Sequence, residues 1–378
     1  MPGKMVIPYG KQSISRADIE AVRRAIEGPF ITQGPKVKEF EDALQAYTGA
    51  KYAVVVSSGT AALHIAAIAA GIKPGREAIT SAITFVASAN CVLYAGGKPV
   101  FADVLEDSVN IDPADMEKKI RKKTCALIPV HFAGRPADLE HIRRIARRNK
   151  LIVIEDAAHA LGAEYKGRRI GCCEHSDMTI FSFHPVKSIT TGEGGAVTTN
   201  SKELYKRLLL LRNHGITRDI AHPEGEWQYE MRELGYNYRI TDIQCALGLS
   251  QLRRLDGFIK RREKIAETYT RELSGIDGLK LPGAGELGKS AWHIYVIRVR
   301  TGRKNVFDRL RGAGINVNVH YIPVYTQPFY RSAGYKNVSC PVAEKYYSQA
   351  ITLPIFPEMK EKEIKYVVKA LKGALGVH

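Results

Sequence analysis

No Cys-x-x-Cys pair and no regular cysteine spacing occurs: six cysteines, at 91, 125, 172, 173, 245 and 340, are scattered over 378 residues. They read as reduced thiols and not as a disulfide or zinc framework, so no metal site is expected. Long apolar runs are missing as well. The longest uncharged stretch, 78–97, has the length of a bilayer span, but Thr80, Ser81, Thr84, Ser88, Asn90, Gly96 and Gly97 interrupt it, and it reads as buried core. No period of 20–50 residues repeats, and there is no low-complexity tract. Met1-Pro2-Gly3-Lys4-Met5 carries no apolar segment behind its lysine, so the expectation is a cytoplasmic protein without secretory signal or membrane.

Acidic residues are in short supply. Against 39 Asp and Glu stand 56 Lys and Arg, a net charge of +17. Such an excess attracts polyanions, which leaves nucleic acid, nucleotides and phosphorylated substrates in play. The basic runs 118–123, 143–148 and 260–264 lie on or beside amphipathic helical patterns without interleaved aromatics. Solvated helix faces account for them better than a nucleic-acid surface. The 45% hydrophobic and 25% charged content is that of an ordinary globular chain, long enough for two or three domains.

Short apolar runs at 53–56, 78–80, 99–102, 126–130, 151–154, 178–183 and 195–198 alternate with helical patterns, notably 61–70 and 138–148. Brief strands separated by helices predict a mostly parallel sheet covered on both faces. Ser15-Arg16-Ala17-Asp18 and Thr241-Asp242-Ile243-Gln244 have the form of capping boxes. The second opens a helix expected to run past Tyr269. After Gly275 a strand at 293–299, a helix at 304–311, a strand at 315–321 and a helix at 360–371 suggest a smaller α+β unit. The expected division is an N-terminal segment, 1–30, folding back on the small domain, a large α/β domain, 31–250, and a small C-terminal α+β domain, 251–378.

One motif misleads. Residues 283–290 match the P-loop pattern G-x-x-x-x-G-K-S, but that loop works by presenting phosphate to a helix start. Here a strand pattern follows, which favours a surface loop.

The stronger signals are distributed. Ser58-Gly59-Thr60 joins a strand to a helix, where amides and a hydroxyl can hold phosphate or simply cap the helix. Glu155-Asp156-Ala157-Ala158-His159 ends an apolar strand, where ligands of open α/β sheets bind, although Asp156 could equally be an N-cap. Ser182-Phe183-His184-Pro185-Val186-Lys187 sets a lysine between a strand and the glycine-rich Gly192-Glu193-Gly194-Gly195. A lysine so placed can form a Schiff base with a carbonyl cofactor. Gly235-Tyr236-Asn237-Tyr238-Arg239 precedes the second capping box and offers an amide and a guanidinium.

Taken in order with Phe85, these segments resemble the fold-type-I pyridoxal-phosphate (PLP) enzymes, aspartate aminotransferase-like in architecture. Specifically they resemble the DegT/DnrJ/EryC1/StrS sugar aminotransferases, over nearly the whole chain. The resemblance implies that Lys187 binds pyridoxal 5'-phosphate as a Schiff base and shuttles the proton. It implies that Asp156 pairs with the ring nitrogen, that His159 stands near the ring hydroxyl and that Phe85 stacks on the ring. Gly59, Thr60 and Ser182 would hold the phosphate, with Asn237 reaching it from a partner subunit, hence a homodimer with active sites at its interface. Ile7-Pro8-Tyr9, Phe30 through Pro35, Ser182-Phe183-His184 and Val319-His320-Tyr321 are most similar to the members that serve pseudaminic acid synthesis. Those members carry an amino group from L-glutamate to carbon 4 of a UDP-linked 4-keto-6-deoxy-N-acetylhexosamine. Thr32, Arg239, His320 and Tyr321 are then the expected substrate contacts, with His214 or Lys36 as further candidates near the diphosphate. Another keto nucleotide sugar is the nearest alternative. A PLP-dependent sugar dehydratase fits less well, since such relatives carry histidine where this chain has Lys187, and a basic nucleic-acid- or nucleotide-binding protein is the reading from a different class.

Overall fold

The computed structural model describes residues 6–218, 224–283 and 287–377. Seven strands form the main sheet: β1 (Tyr52–Val56), β2 (Glu77–Ser81), β3 (Lys98–Ala102), β4 (Thr124–Ile128), β5 (Ile152–Asp156), β6 (Met178–Ser182) and β7 (Gly195–Thr199). Their spatial order is β1-β7-β6-β5-β4-β2-β3. Only β7 runs against its neighbours, pairing antiparallel with both β1 and β6, while the remaining pairs are parallel. The carboxyl ends of β1, β2, β5 and β6 therefore share one edge, and β7 begins there with Gly195. Helices cover both faces, as continuous apolar strands require. The helix Gly59–Ala69 is buried on nearly every side; its alanines let it lie close to the sheet, with Val54, Val56, Ile154, Ile180 and Val197 in the same core. On the other face Phe40, Leu44, Val55, Phe181, Phe183 and Phe258 pack together.

The second unit is built on a three-stranded antiparallel sheet of Leu279–Lys280, Tyr295–Val299 and Ala350–Leu353. The helices Arg303–Gly312 and Glu361–Leu375 pack with it around Tyr295, Ile297, Leu310, Ile351, Leu353 and Val367. Three details differ from the sequence reading. The 315–321 stretch is not a strand, because the Val317 N–H turns back to the Ile315 carbonyl and only Ile315 and Asn318 make isolated bridges. The third strand is Ala350–Leu353 instead. The helix opened by Thr241 stops at Leu252, and a separate helix runs Leu255–Leu273. At the break Arg254 has φ −101° and ψ −6°, and its guanidinium bonds Asp18 at 2.8 Å and Ser13 Oγ at 3.1 Å. In the basic run 260–264, Arg262 is not on a solvated face. It is buried, donating to the carbonyls of Ile355 and His293, and burial pulls it down to about 10.

The N-terminal stretch touches both units. Ile7 bridges to Ile315 and joins the second core, whereas the helix Arg16–Glu27 packs on Asp242–Leu252. Its Asp18 is enclosed; burial opposes its charge, but hydrogen bonds from Ser250, Ser15 and Gln251 prevail and lower it. The long helix Leu255–Leu273 also serves both, giving Leu255 and Phe258 to the first core and Ile265, Ala266, Tyr269 and Leu273 to the second. Residues 284–286 of the P-loop-like match lie outside the described residues. Gly288–Lys289 pairs antiparallel with Glu164–Tyr165, and the next regular element is the strand Tyr295–Val299, so no helix follows that lysine. Among the described residues no helix is long and apolar enough to cross a membrane, and no cluster of side chains is fit to hold a metal ion.

Candidate active site

A cavity of about 580 Å3 opens where the carboxyl ends of the parallel strands meet the second unit. This is within the ordinary range for small-molecule sites and at the sheet edge where open α/β folds bind ligands. Gly59, Thr60, Phe85, Asp156, His159, Ser182, Lys187, His320 and Tyr321 all line it.

The turn after β1 forms one end. Ser58 caps the helix Gly59–Ala69 by accepting the Ala61 amide. The amides of Gly59 and Thr60, in the first turn, have no carbonyl of their own helix to bond, and the helix dipole favours an anion there. Glycine is required at 59: a Cβ would stand 2.7 Å from Ser182 Cβ. The approach lets the Ser182 hydroxyl reach the same helix start. Gly195 is equally constrained, since a Cβ would meet the Ser58 carbonyl oxygen at 2.5 Å.

Strand alternation separates the two carboxylates that end β5. Glu155 turns from the cavity to His131, whose Nε2 is 2.8 Å away and whose Nδ1 accepts the Ala137 amide. Asp156 faces the cavity, 5% exposed, with Oδ1 accepting the Ala158 N–H at 3.1 Å and Oδ2 accepting the Ser88 hydroxyl at 2.6 Å. Lys187 is held in the loop after β6, where its amide bonds the His184 carbonyl. Burial brings its ammonium down to about 8, against the opposing pull of the Asp156 carboxylate. At neutral pH a useful fraction is thus the uncharged, nucleophilic amine.

Histidines crowd the far wall. His159 and His293 lie 4.2 Å apart between ring centroids, and His159 Nε2 is 3.1 Å from the Tyr321 hydroxyl. Burial, then the charges of Lys187 and His320, hold His159 well below the usual imidazole range. His293 is lowered by burial and by His159, Lys187, Arg262 and His320. Both Nδ1 atoms are buried without a partner. Unpaired buried nitrogens are costly, and here two of them belong to residues that line a ligand-sized space. His320, bonded to Thr352, is brought down to about 4 by burial and by Lys187. Burial, with Tyr9 and Asp156 nearby, raises Tyr321. Phe85 stands at the mouth, its ring 6.2 Å from that of Tyr321.

Three expected residues are elsewhere. In the single chain Thr32, Asn237 and Arg239 do not line this cavity. Thr32 bridges to Thr241 and Asn237 to Asn213, and Arg239 donates to Asn213 Oδ1 at 2.7 Å. Arg239 borders a separate cavity of about 840 Å3 that also exposes Lys38, Lys206, Arg218 and Arg232. Conversely, Ser88 and His293 line the main site without a signal in the sequence, and Tyr9, quoted above only for the resemblance, lines it too. Tyr9 arrives from the N-terminal segment, anchored through its carbonyl to the Ile355 amide.

Comparison with known proteins agrees with this architecture. The family model described as the DegT/DnrJ/EryC1/StrS aminotransferase family matches residues 12–372. Spore coat polysaccharide biosynthesis protein SpsC of Bacillus subtilis is 40% identical over 376 residues, covering 97% of this chain and 96% of that protein. The UDP-4-amino-4,6-dideoxy-N-acetyl-beta-L-altrosamine transaminase of Campylobacter jejuni is 39% identical over 377 residues, 98% of each. Among solved structures, Helicobacter pylori PseC, an aminotransferase involved in the biosynthesis of pseudoaminic acid, matches with a TM-score of 0.93 and 31% identity over 98% of this chain and 100% of that one. The PLP form of the putative sugar aminotransferase Spr1654 from Streptococcus pneumoniae matches at 0.91 and 31%, covering 98% and 99%.

Proposed function

The chain belongs to the DegT/DnrJ/EryC1/StrS aminotransferase family, whose members depend on pyridoxal phosphate, and we propose that it moves an amino group from L-glutamate to carbon 4 of a UDP-linked 4-keto-6-deoxy-N-acetylhexosamine. The site fits the cofactor. A glycine-walled helix start suits the phosphate, a buried carboxylate suits a ring nitrogen, and His159, a neutral imidazole on the cavity wall, suits a ring hydroxyl. When bound, the cofactor supplies a protonated ring that accepts electrons from the carbon losing its proton.

Lys187 is the residue on which this reading rests, because an amine drawn down to about 8 beside a buried aspartate suits imine chemistry. Its Nζ would hold the cofactor's aldehyde carbon and, when freed by the amino donor, would be the base that takes the α-proton and returns it. In the glutamate half-reaction water would supply the keto oxygen of 2-oxoglutarate. In the keto-sugar half-reaction Lys187 Nζ would carry the proton in the opposite direction, the sugar's carbonyl oxygen would leave as water and the sugar would leave as its amine. Asp156 holds the ring nitrogen protonated. Gly59, Thr60 and Ser182 hold the phosphate, Phe85 covers the ring face, and His159, neutral, meets the ring hydroxyl. His320 and Tyr321 face the sugar, while Thr32 and Arg239, which lie away from this cavity in the single chain, reach the substrate of the second subunit.

Asn237 then serves the phosphate of the second subunit, which makes the protein a homodimer. The large apolar side chains left in water at Phe30, Ile31, Trp227, Met231 and Leu234 support that assembly. The reading also makes the protein a cytoplasmic enzyme. Its relatives include a spore coat polysaccharide protein at 40% identity, which favours another keto nucleotide sugar as the second reading.

The test joins chemistry to substrate. Borohydride treatment of the yellow protein followed by peptide mapping should fix the cofactor at Lys187 and at no site in Lys187→Ala, which should also lose turnover. Labelling elsewhere rejects the assignment. A panel of keto-sugar nucleotides with glutamate then identifies the sugar, and preference for a different keto sugar selects the second reading.

A further inference from the structure

Behind Asp156 runs a buried relay of hydroxyls. Thr84 and Ser88 are 2% and 0% exposed. Ser88 Oγ lies 2.6 Å from Asp156 Oδ2, 2.6 Å from Thr84 Oγ1 and 3.2 Å from the Phe85 carbonyl oxygen. Each hydroxyl has one hydrogen to give. The Phe85 carbonyl already accepts the Ser88 backbone N–H at 3.2 Å, and the carboxylate is both nearer and charged. The Ser88 proton therefore goes to Asp156 Oδ2. Ser88 Oγ is then an acceptor, and Thr84 is its donor. The direction is Thr84 to Ser88 to Asp156. With the Ala158 amide on Oδ1, both carboxylate oxygens are pinned. The relay starts at Thr84, next to Phe85 in the chain, so it ties the aromatic at the cavity mouth to the carboxylate at its base.

We propose that Ser88, backed by Thr84, is a positioning residue for amino transfer: its hydroxyl fixes the Asp156 carboxylate and stabilises its negative charge, so that the proton shared with the cofactor's ring nitrogen stays on that nitrogen. This deepens the reading of Asp156 given above and rests on it. A hydrogen bond donated to the ionised form favours that form, and a carboxylate deprived of it draws the shared proton toward itself. A ring nitrogen that has lost its proton is a poorer electron acceptor.

Holoenzyme reconstituted with 15N-labelled pyridoxal phosphate reports the proton directly through the ring-nitrogen resonance, read at one pH. Ser88→Ala should move that resonance toward the unprotonated position and lower kcat about tenfold, the size expected for one hydrogen bond to a charged group, with KM for the keto sugar little changed. Ser88→Thr keeps a hydroxyl and should restore both. Thr84→Val should move the resonance the same way by less, and it carries the test if Ser88→Ala does not fold. Asp156→Asn is the control. If Asp156→Asn shifts the resonance and the hydroxyl variants leave it at the wild-type position, the proposal is overturned. If Asp156→Asn shifts nothing, the pairing of Asp156 with the ring nitrogen is wrong, and the role of Ser88 falls with it.

Discussion

Lys187 derives its reactivity from its surroundings. With its ammonium brought down to about 8, capture of pyridoxal phosphate by the cofactor-free protein should quicken as pH rises through about 8 and then level off. An ordinary lysine would keep gaining up to about 10.4. Stopped-flow absorbance distinguishes the two. His320 gives the opposite kind of signal, through stability. Its folded-state value, about 4, lies below that of an unfolded histidine, so between roughly pH 6.5 and 4 the unfolded chain binds more protons and folding weakens as pH falls. His320→Asn removes that contribution, and its thermal midpoint should decline less steeply than that of the wild type from pH 6.5 to 4. That Lys187, Asp156 and Gly59 gather at one cavity was readable from sequence because each sits at a strand end beside residues that mark a turn. Ser88 and His293 were not. Ser88 lies within an alanine-rich helical stretch, and nothing near His293 in the chain announces that its ring meets His159. Both reach the cavity wall only when distant segments pack.

At the level of elements, the turn from β1 into the helix Gly59–Ala69 is the least forgiving piece of the site. Gly59→Ala sets a Cβ 2.7 Å from Ser182 Cβ, so either the helix start or β6 must shift. The expected cost is about 1–3 kcal/mol of stability, with cofactor affinity reduced roughly tenfold if that cost falls partly on the holo form. Urea titration of the apo form and equilibrium dialysis of the cofactor measure the two. The alternation of strands and helices was legible because parallel strands buried on both faces are continuous apolar runs. It failed where tertiary bonds override local pattern. The 315–321 stretch has the apolar alternation of a strand, yet Val317 turns back on Ile315. The helix from Asp242 has no proline or glycine at Arg253–Arg254 to stop it, yet it ends at Leu252, and Arg254 at the break bonds Asp18. Asp242 shows the same limit differently: read as part of a capping box, it also accepts the amides of Gly34 and Lys36, capping the helix Pro35–Thr48 from across the fold.

For the whole molecule the decisive question is what a second copy contributes. Asn237 and Arg239 lie outside the cavity that holds Lys187. If Asn237 works across a dimer interface, Lys187→Ala and Asn237→Ala chains, each inactive or impaired alone, should recover one intact site per dimer when mixed after unfolding and refolding together. Activity in the mixture no greater than the sum of the parents would reject the cross-subunit role. Pairs such as Arg143 with Asp177, Arg148 with Glu117 and Arg261 with Glu361 neutralise part of the 56 cations, and Lys206, Arg218 and Arg239 gather others around the second cavity. Composition alone left nucleic acid open, because a charge total carries no positions. Finally, the helix Leu255–Leu273 is a single rod with its first turns in one lobe's interior and its last in the other's. Melting either lobe strips packing from a shaft that the other needs. Heat should therefore undo the protein in one cooperative step, with calorimetric and van't Hoff enthalpies in agreement, and a protease should find no hinge to nick along that shaft.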